Sequence, residues 1–175
     1  MKSPTIESIH YMLRPFTKSD AALWQVWDID PEVQAHMPGP LNEPEDIAEQ
    51  CAYIEACEAD EEGYYWSIET TDGVTIGTVA FTEFNKHHGV ADLGIVIGDK
   101  NYWGTGVATE VLTALVRYAF AHMGIVRISA EVEAENVPMT KVLEKIGFTQ
   151  DGLFESARVK NGKRVNVLHF GIVKK

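Results

Sequence analysis

The stretch from Ala91 to Thr109, which reads ADLGIVIGDKNYWGTGVAT, constrains the fold of this chain most tightly. An apolar run typical of a strand is followed by a polar loop and by Gly104-Thr105-Gly106, which opens a helical pattern. The first turn of a helix leaves its N–H groups unpaired and carries partial positive charge. Glycines there let an anion approach the backbone closely. The stretch therefore predicts a site for the pyrophosphate of a nucleotide-containing cofactor.

A dinucleotide is one candidate for that cofactor. Gly104 to Thr109 nearly satisfies the pattern GxGxxG, and Glu131 lies at a suitable distance for a ribose contact. Three features weaken this interpretation. Thr109 replaces the third glycine, the residues from Asp99 to Trp103 separate the strand from the first glycine, and the chain offers only one strand–helix–strand unit where two mononucleotide halves are needed.

Coenzyme A is the other candidate, because the sequence resembles the GNAT superfamily of acetyl-CoA-dependent N-acetyltransferases and, within it, the branch that includes RimJ and RimL. The resemblance covers nearly the whole chain. The segments that carry it are Ile97–Glu110, close to that branch's pyrophosphate loop, Asn136–Phe148, the opening Met12–Phe16 and the ending around Asn161–Lys163. It implies an α+β fold with a mixed, mainly antiparallel sheet, a central parallel strand pair splayed to hold the coenzyme, and helices on both faces.

The resemblance also implies which residues bind the coenzyme. The pantetheine arm would lie between the strands Val90–Ile97 and Ile125–Glu133, where a backbone N–H could serve as an oxyanion donor. The implied cofactor-binding residues are Ile95, Val96 and Ile97 on the strand, Trp103, Gly104, Thr105, Gly106, Val107, Ala108 and Thr109 in the pyrophosphate turn, and Asn136 and Lys141 beyond the second strand. Asn136 equally suits a plain helix N-cap, and Lys141 a solvated helix lysine.

Acetyl transfer to an amine needs a base that removes a proton from the acceptor's ammonium group. The candidate catalytic carboxylates are Asp92, Glu83 and Glu131. Strand alternation places Asp92 on the same face as Gly94 and Val96, so that it could point into the cleft. A solvated carboxylate at the end of a strand is the alternative for Asp92.

The general acid is where the chain departs from the family pattern. Many GNAT enzymes carry a Tyr where this chain has Leu143, and many members of the branch carry a Ser where it has Met139. Neither residue can donate a proton. Tyr102 and Tyr118 are the candidate substitutes, and packing is the commoner role of such residues. A thiol with a pKa of about 8.5 leaves as thiolate without strong assistance, so catalysis does not require the acid.

Charge is distributed unevenly along the chain, whose formal net charge is −11. From Ser19 to Asn85 there are 16 acidic residues and no Lys or Arg, whereas Lys86 to Lys175 holds 12 basic and 9 acidic residues. A negative first half favours a cationic acceptor and disfavours nucleic acid. The acceptor would lie between the first helices and the loop that joins them. Its predicted contacts are Trp27, His36, Met37 and Tyr65.

Length and composition fit one domain, residues 1–175. No apolar run approaches the ~20 residues of a membrane span, and the first residues lack a signal-peptide apolar region. Cys51 and Cys57 are expected as reduced thiols, so the expected compartment is the cytoplasm. No metal site is expected, and the sequence leaves open whether the protein is a monomer or a homodimer.

The remaining pattern predicts a chain of short elements. The predicted elements are a strand at 9–14, a helix opened by a capping box at Thr17–Asp20, a second helix capped by Asn42 and Glu45 with Ile47, Cys51 and Ile54 inward, hairpins at Asp72-Gly73 and Asn161-Gly162, a helix from about Gly106 to His122, and a short helix from Asn136 to Gly147. Together these features predict an N-acetyltransferase acting on a cationic primary amine. The alternative is a CoA-binding sensor or interaction module with weak or no catalysis.

Overall fold

Eight strands form one mixed sheet in the order β1-β2-β3-β4-β5-β6-β8-β7. The structure is a computed structural model that describes residues 3–38 and 46–175. The strands are β1 (Ile6–Glu7), β2 (Tyr11–Pro15), β3 (Tyr64–Thr70), β4 (Thr75–Asn85), β5 (Val90–Ile97), β6 (Arg127–Glu133), β7 (Thr149–Lys160) and β8 (Lys163–Val173). The helices are α1 (Ala21–Asp28), α2 (Ile47–Ala59), α3 (Val107–His122) and α4 (Val137–Ile146).

Two separate cores cover the two faces of the sheet. The larger core joins one face to α3 and α4, and includes Trp66, Phe81, Leu112, Ile128, Leu143 and Phe170. The smaller core joins the other face to α1 and α2, and includes Phe16, Trp24, Trp27, Val33 and Ile54. All neighbouring strands are antiparallel except β5 and β6, which are parallel. The predicted α+β fold, with helices on both faces, is therefore confirmed.

The second core is anchored to the sheet by a buried polar network around Arg14. The Arg14 guanidinium donates to both carboxylate oxygens of Asp20, at 2.9 and 2.7 Å, to Thr75 Oγ1 at 2.8 Å, and to Glu69. Burial by itself raises the pKa of Asp20, but hydrogen bonds from Arg14, from the Thr17 N–H and from a serine hydroxyl outweigh it and hold the pKa below its ordinary value. This network fixes the start of α1 against β2 and β3.

The local predictions agree with most element bounds. The predicted bounds of β5 and α4 are confirmed, and α3 begins one residue after the predicted start, with Gly106 as its N-cap. Both hairpins form at the predicted turns, with positive φ at Gly73 and Gly162. These signals are local, since turn and cap residues set them within a few positions.

The predicted start of the second helix is wrong. It begins at Ile47 with Asp46 as N-cap, whose carboxylate accepts from the Ala48 N–H at 3.3 Å. Glu49 completes the capping box in place of Glu45; Asn42 and Glu45 lie outside the described residues. Ile47 is exposed rather than inward, and the buried residues of this helix are Gln50, Ile54 and Cys57. No helix in residues 3–38 or 46–175 is long and apolar enough to cross a membrane.

Candidate active site

The two central strands diverge along their length. β5 and β6 are paired only at Val90–Arg127, Ala91–Ile128 and Asp92–Ser129. Beyond that point β5 stays paired with β4 as far as Ile97, and β6 stays paired with β8 as far as Glu133. Each half of the sheet therefore keeps its own ladder while a gap opens between them, and the splay expected from the family resemblance is present.

The register determines which backbone groups face this gap. The Gly98 N–H donates to the Ile76 carbonyl at 2.9 Å, on the β4 side, whereas the Gly89 carbonyl accepts from the Val126 N–H at 2.7 Å, on the β6 side. Since bonding direction alternates along a strand, even-numbered residues of β5 bond to β4 and odd-numbered residues point toward β6. The Leu93 N–H belongs to the last pairing, Asp92–Ser129, so the C=O of Leu93 and the N–H and C=O of Ile95 are the groups presented to the gap.

The three predicted pantetheine contacts on β5 differ in whether their backbone groups face the gap. Ile95 has the required orientation. The backbone groups of Val96 point to β4, so Val96 does not suit that role, and its side chain packs against the second core. The carbonyl of Ile97 accepts from the indole Nε1 of Trp103 at 2.7 Å. Leu93 was missed because the sequence does not reveal which parity of the strand faces the gap.

The predicted pyrophosphate turn has an open, glycine-dependent shape. Gly104 and Gly106 have φ of +73° and +96°, and a Cβ built on either would meet nothing within 4 Å. Within residues 3–38 and 46–175 no side chain caps α3 at Gly106, which leaves the first-turn N–H groups of α3 available to a ligand. The Thr105 hydroxyl donates to the Tyr102 carbonyl at 2.7 Å and steadies the turn. This arrangement fits a diphosphate held by backbone amides.

The other predicted cofactor contacts flank the gap. Asn136 is the N-cap of α4, since its Oδ1 accepts from the Met139 N–H at 3.2 Å, and its Nδ2 has no acceptor within the described residues. Lys141 is exposed on α4. Leu143 is fully buried, and Met139 packs against the larger core. No proton donor therefore occupies either position where the family pattern has one.

The three candidate carboxylates, which lie on three different strands, come together where β5 and β6 diverge. Glu83 occupies a β-bulge between β4 and β5 with φ +50°, a strained conformation for a non-glycine residue that re-aims its side chain. Its carboxylate lies within hydrogen-bonding distance of Asp92. Glu131 pairs with Arg158 and lies 3.3 Å from His169 Nε2.

Asp92 is the carboxylate most perturbed by this cluster. Burial raises its pKa above the ordinary value, and the charges of Glu83 and Glu131 add to the effect, while His169 opposes it. Asp92 is also the last β5 residue paired with β6, so it stands at the apex of the gap on the α1 and α2 face. A carboxylate with a raised pKa in this position is a better proton acceptor than an ordinary aspartate.

The predicted acceptor contacts separate into two groups. Trp27 is 8% exposed and its ring covers Gly98, where a Cβ would lie 2.0 Å from the indole. Tyr65 packs against the same core and its hydroxyl donates to Asp60 at 2.6 Å. Both side chains therefore belong to the second core and its edge. His36 and Met37, in contrast, lie on the connection from α1 to α2, beside the end of β6.

A cavity of about 370 Å³ opens on the face that carries Asp92. It is lined by Arg127, Ser129, Asp151, Gly152, Leu153, Phe154, His169 and Phe170. Ser129 is the residue paired with Asp92 across the parallel ladder, and His169 contacts Glu131, so the cavity adjoins the carboxylate cluster. Arg127 and Asp151 form an ion pair in it. The sequence did not point to this cavity, because it depends on how β7 and β8 register against β6.

The fold and this geometry define a transferase that binds coenzyme A. The family model for the acetyltransferase (GNAT) domain matches residues 10–149. The chain therefore belongs to the GNAT family and is an acetyl-CoA-dependent N-acetyltransferase.

Several individual proteins are similar to this chain in sequence or in fold. The chain is 31% identical to the uncharacterized N-acetyltransferase p20 of Bacillus licheniformis, over 98% of this chain and 97% of that protein. Its fold is similar to that of RimL, a ribosomal L7/L12 alpha-N-protein acetyltransferase solved with coenzyme A (TM-score 0.87, 16% identity, 97% of this chain and 98% of RimL). It is also similar to spermidine N-acetyltransferase from Vibrio cholerae, solved with CoA and spermine (TM-score 0.84, 21% identity, 93% of this chain and 95% of that one). The expected likeness to the RimJ/RimL branch is confirmed at the level of the fold.

Proposed function

We propose that the acceptor is a cationic primary amine and that Asp92 takes the proton from its ammonium group. The observation that carries this proposal is the convergence of Asp92, Glu83 and Glu131 at the apex of the gap between β5 and β6. The carboxylates of Asp92 and Glu83 attract an ammonium group and hold it beside the base, and Glu131, which also pairs with Arg158, adds to the negative charge nearby. The raised pKa of Asp92 makes it a stronger base than an ordinary aspartate.

The chain's own groups support the remaining steps. Bound acetyl-CoA supplies the acetyl group as an activated thioester. The α3 amides at Val107, Ala108 and Thr109 hold the diphosphate, with Asn136 and Lys141 as further contacts. The N–H of Ile95 faces the gap and donates to the oxygen that becomes negative during attack.

Departure of the thiolate requires no side-chain acid. Leu143 and Met139 carry no acidic proton, and Tyr102 and Tyr118 pack against the larger core. A thiol of pKa about 8.5 is a good leaving group without such help. We therefore expect the rate to depend on the base and on positioning rather than on a general acid.

The acceptor is either a protein N-terminus or a small amine of the polyamine, aminoglycoside or amino-acid type. RimL acetylates the first kind and the Vibrio enzyme takes a polyamine, and both share this fold. The absence of Lys and Arg from Ser19 to Asn85 supports a positively charged acceptor in either case. The cavity beside Ser129 and His169 has room for the part of the acceptor that does not react.

A thiol-release assay with a matched amine pair tests this proposal. We expect 1,4-diaminobutane to be a better substrate than 4-amino-1-butanol, which keeps one amine and replaces the other with a hydroxyl. We also expect the advantage to shrink as salt rises, because screening weakens the attraction of exposed charges. Equal kcat/KM for the two amines at low salt would contradict a preference for an acceptor that carries a positive charge besides the reacting ammonium group.

A CoA-binding module without turnover is the second candidate, favoured by the missing proton donors at Leu143 and Met139. Calorimetry separates it from the enzyme. Tight binding of acetyl-CoA with no thiol release from any amine in the panel would support the module, and release with any amine would exclude it.

Two wider expectations stay proposals. All eight strands of the described residues lie in one sheet, which supports a single N-acetyltransferase domain over residues 1–175. The reduced state expected for Cys51 and Cys57 underlies the proposed cytoplasmic location.

A further inference from the structure

The segment Asp30–Met37, which we call the strap, connects the two halves of the sheet that β5 and β6 leave apart. Its first end is tied to the residues just beyond β5. Lys100 Nζ lies 2.7 Å from Asp30 Oδ2 and 2.5 Å from Glu32 Oε2. Val33, between the two ends, is buried in the second core. The strap is thus anchored on the β5 side and packed beneath.

The second end of the strap is tied to the end of β6. Lys160, the last residue of β7, donates from Nζ to the carbonyl oxygens of Ala35 and Met37, the latter at 3.0 Å. The same ammonium lies 2.9 Å from Oε1 of Glu133, the last residue of β6. The other carboxylate oxygen of Glu133 lies 3.3 Å from His36 Nδ1. One lysine and one carboxylate therefore hold three consecutive residues of the strap.

The two anchors differ in burial, and this difference decides which one matters. The Lys160 and Glu133 side chains are 13% and 7% exposed, whereas the Lys100 side chain is 43% exposed. An exposed ion pair contributes little because water screens it. Removing one member of a buried pair leaves the other charge and its hydrogen-bonding groups unsatisfied, so the backbone around it must rearrange. The Lys160 anchor is the one on which the strap depends.

The side of the sheet on which the strap lies indicates what it shapes. Glu133 shares its strand face with Glu131, two residues earlier, and that is the face covered by α1 and α2. The pyrophosphate turn at Gly104 and Gly106 lies elsewhere, at the start of α3. The strap therefore borders the space where the acceptor meets the carboxylate cluster.

We propose that Lys160 and Glu133 are positioning residues that hold the strap across the acceptor side of the gap, where it forms a wall that orients the amine. The claim that the strap orients an amine rests on the proposed function, whereas the claim that Lys160 and Glu133 anchor the strap does not. Loss of the anchor displaces the wall and leaves the coenzyme site intact. A displacement of the order of 1 Å at a site of this kind lowers turnover by up to about 100-fold.

Kinetics with a matched control tests the role in acceptor binding. For Lys160→Met, assayed with the best amine of the panel, kcat/KM for the amine should fall by about 10- to 100-fold, while the Kd of acetyl-CoA should change by less than about twofold. Lys160→Arg should recover much of the loss, because arginine can still reach the carboxylate and the carbonyls. Lys18→Met is the control, since it removes an exposed lysine that lies just before α1 and pairs with Glu55 of α2. An equal loss for both substrates, or none, would overturn the acceptor-side role.

Hydrogen exchange tests the anchoring without any acceptor. The N–H groups of Ala35 and Met37 donate within the strap, at 3.3 Å to Glu32 and 3.1 Å to Gln34. They should exchange faster in Lys160→Met than in the wild type, while the amides of α3 should not change. Unchanged strap exchange would refute the anchor. If wild type turns over no amine, the proposed function fails and this measurement still decides the anchor.

A second variant covers the case in which Lys160→Met does not fold. Glu133→Gln keeps the shape and a hydrogen-bonding oxygen but removes the charge opposite Lys160. It should accelerate exchange in the strap and lower kcat/KM for the amine in the same direction, by a smaller factor. Wild-type exchange and kinetics in a folded Glu133→Gln variant would also overturn the proposal.

Discussion

Replacing Asp92 with Asn should inactivate the enzyme and stabilise the fold at the same time. Asp92 is half-buried at the apex of the gap, with Glu83 at hydrogen-bonding distance and the charge of Glu131 nearby. The folded protein therefore carries like charges that the unfolded chain can separate. Asparagine has nearly the same shape, and its amide can donate to the Glu83 carboxylate instead of repelling it.

The size of the stabilisation follows from the burial of this pair. Two like charges about 4 Å apart repel by about 1 kcal/mol in water and by about 4 kcal/mol at an effective dielectric constant of 20. Glu83 is exposed and Asp92 only half-buried, so the lower value applies. A gain of about 1 kcal/mol raises the Tm of a domain of this size by about 2–4 °C.

The difference in Tm between Asp92→Asn and the wild type should depend on pH. The pKa of Asp92 is higher in the folded state than its ordinary value, so the folded state binds this proton more tightly than the unfolded state does. The wild type therefore gains stability as pH falls through that raised pKa, and Asp92→Asn does not. The Tm advantage of the variant should be present at neutral pH and should shrink toward acid pH.

The catalytic loss is measured on the same samples. Removing a general base costs about 10²- to 10⁴-fold in rate, so thiol release by Asp92→Asn should fall within that range at neutral pH. Glu155→Gln, an exposed carboxylate on β7, is the control and should change neither Tm nor rate. A lower Tm for Asp92→Asn at neutral pH, or a rate within a fewfold of wild type, would refute the assignment of Asp92.

Two further substitutions test the cofactor turn and the anchor of the second core. Gly106→Ala should destabilise the protein by about 1–2 kcal/mol, because φ is +96° there. The added Cβ should also weaken acetyl-CoA binding. A wild-type Kd for acetyl-CoA, measured by calorimetry, would contradict a diphosphate at this turn. Asp20→Asn should lower the free energy of unfolding in urea by about 1.5–3 kcal/mol, because Arg14 loses the charge of one of its two carboxylate partners and keeps Glu69. Because the pKa of Asp20 is lowered in the fold, this difference should persist above the ordinary carboxylate pKa and diminish as pH falls through the folded value; a pH-independent difference would count against the ion pair.

Much of the cofactor side could be predicted because its features are local. β5 was predicted as an apolar run, and Gly104 and Gly106 as the opening of α3, from residues a few positions apart. Backbone conformation, capping and turn geometry are decided over such short distances. The same holds for the two hairpins and for the N-cap role of Asn136.

The sequence singles out three candidate carboxylates without showing that they lie near one another. Glu83, Asp92 and Glu131 were chosen separately, each for its position on a strand. Their convergence depends on the bulge that strains Glu83 to φ +50° and on the short parallel pairing that ends at Asp92. Neither feature leaves a mark within a few residues, because each is a property of the register between strands.

By itself, then, the sequence determined the elements, the glycine turn and the family. The tertiary structure decided which parity of β5 faces the gap, so that backbone groups of Leu93 and Ile95 rather than Val96 are turned toward it. It also decided that Trp27 belongs to a core and that Lys160 reaches the strap from the far end of β7. The physical reason is that a side chain's neighbours across a sheet are set by strand register and by the twist that separates β5 from β6, and both emerge only when the whole sheet assembles.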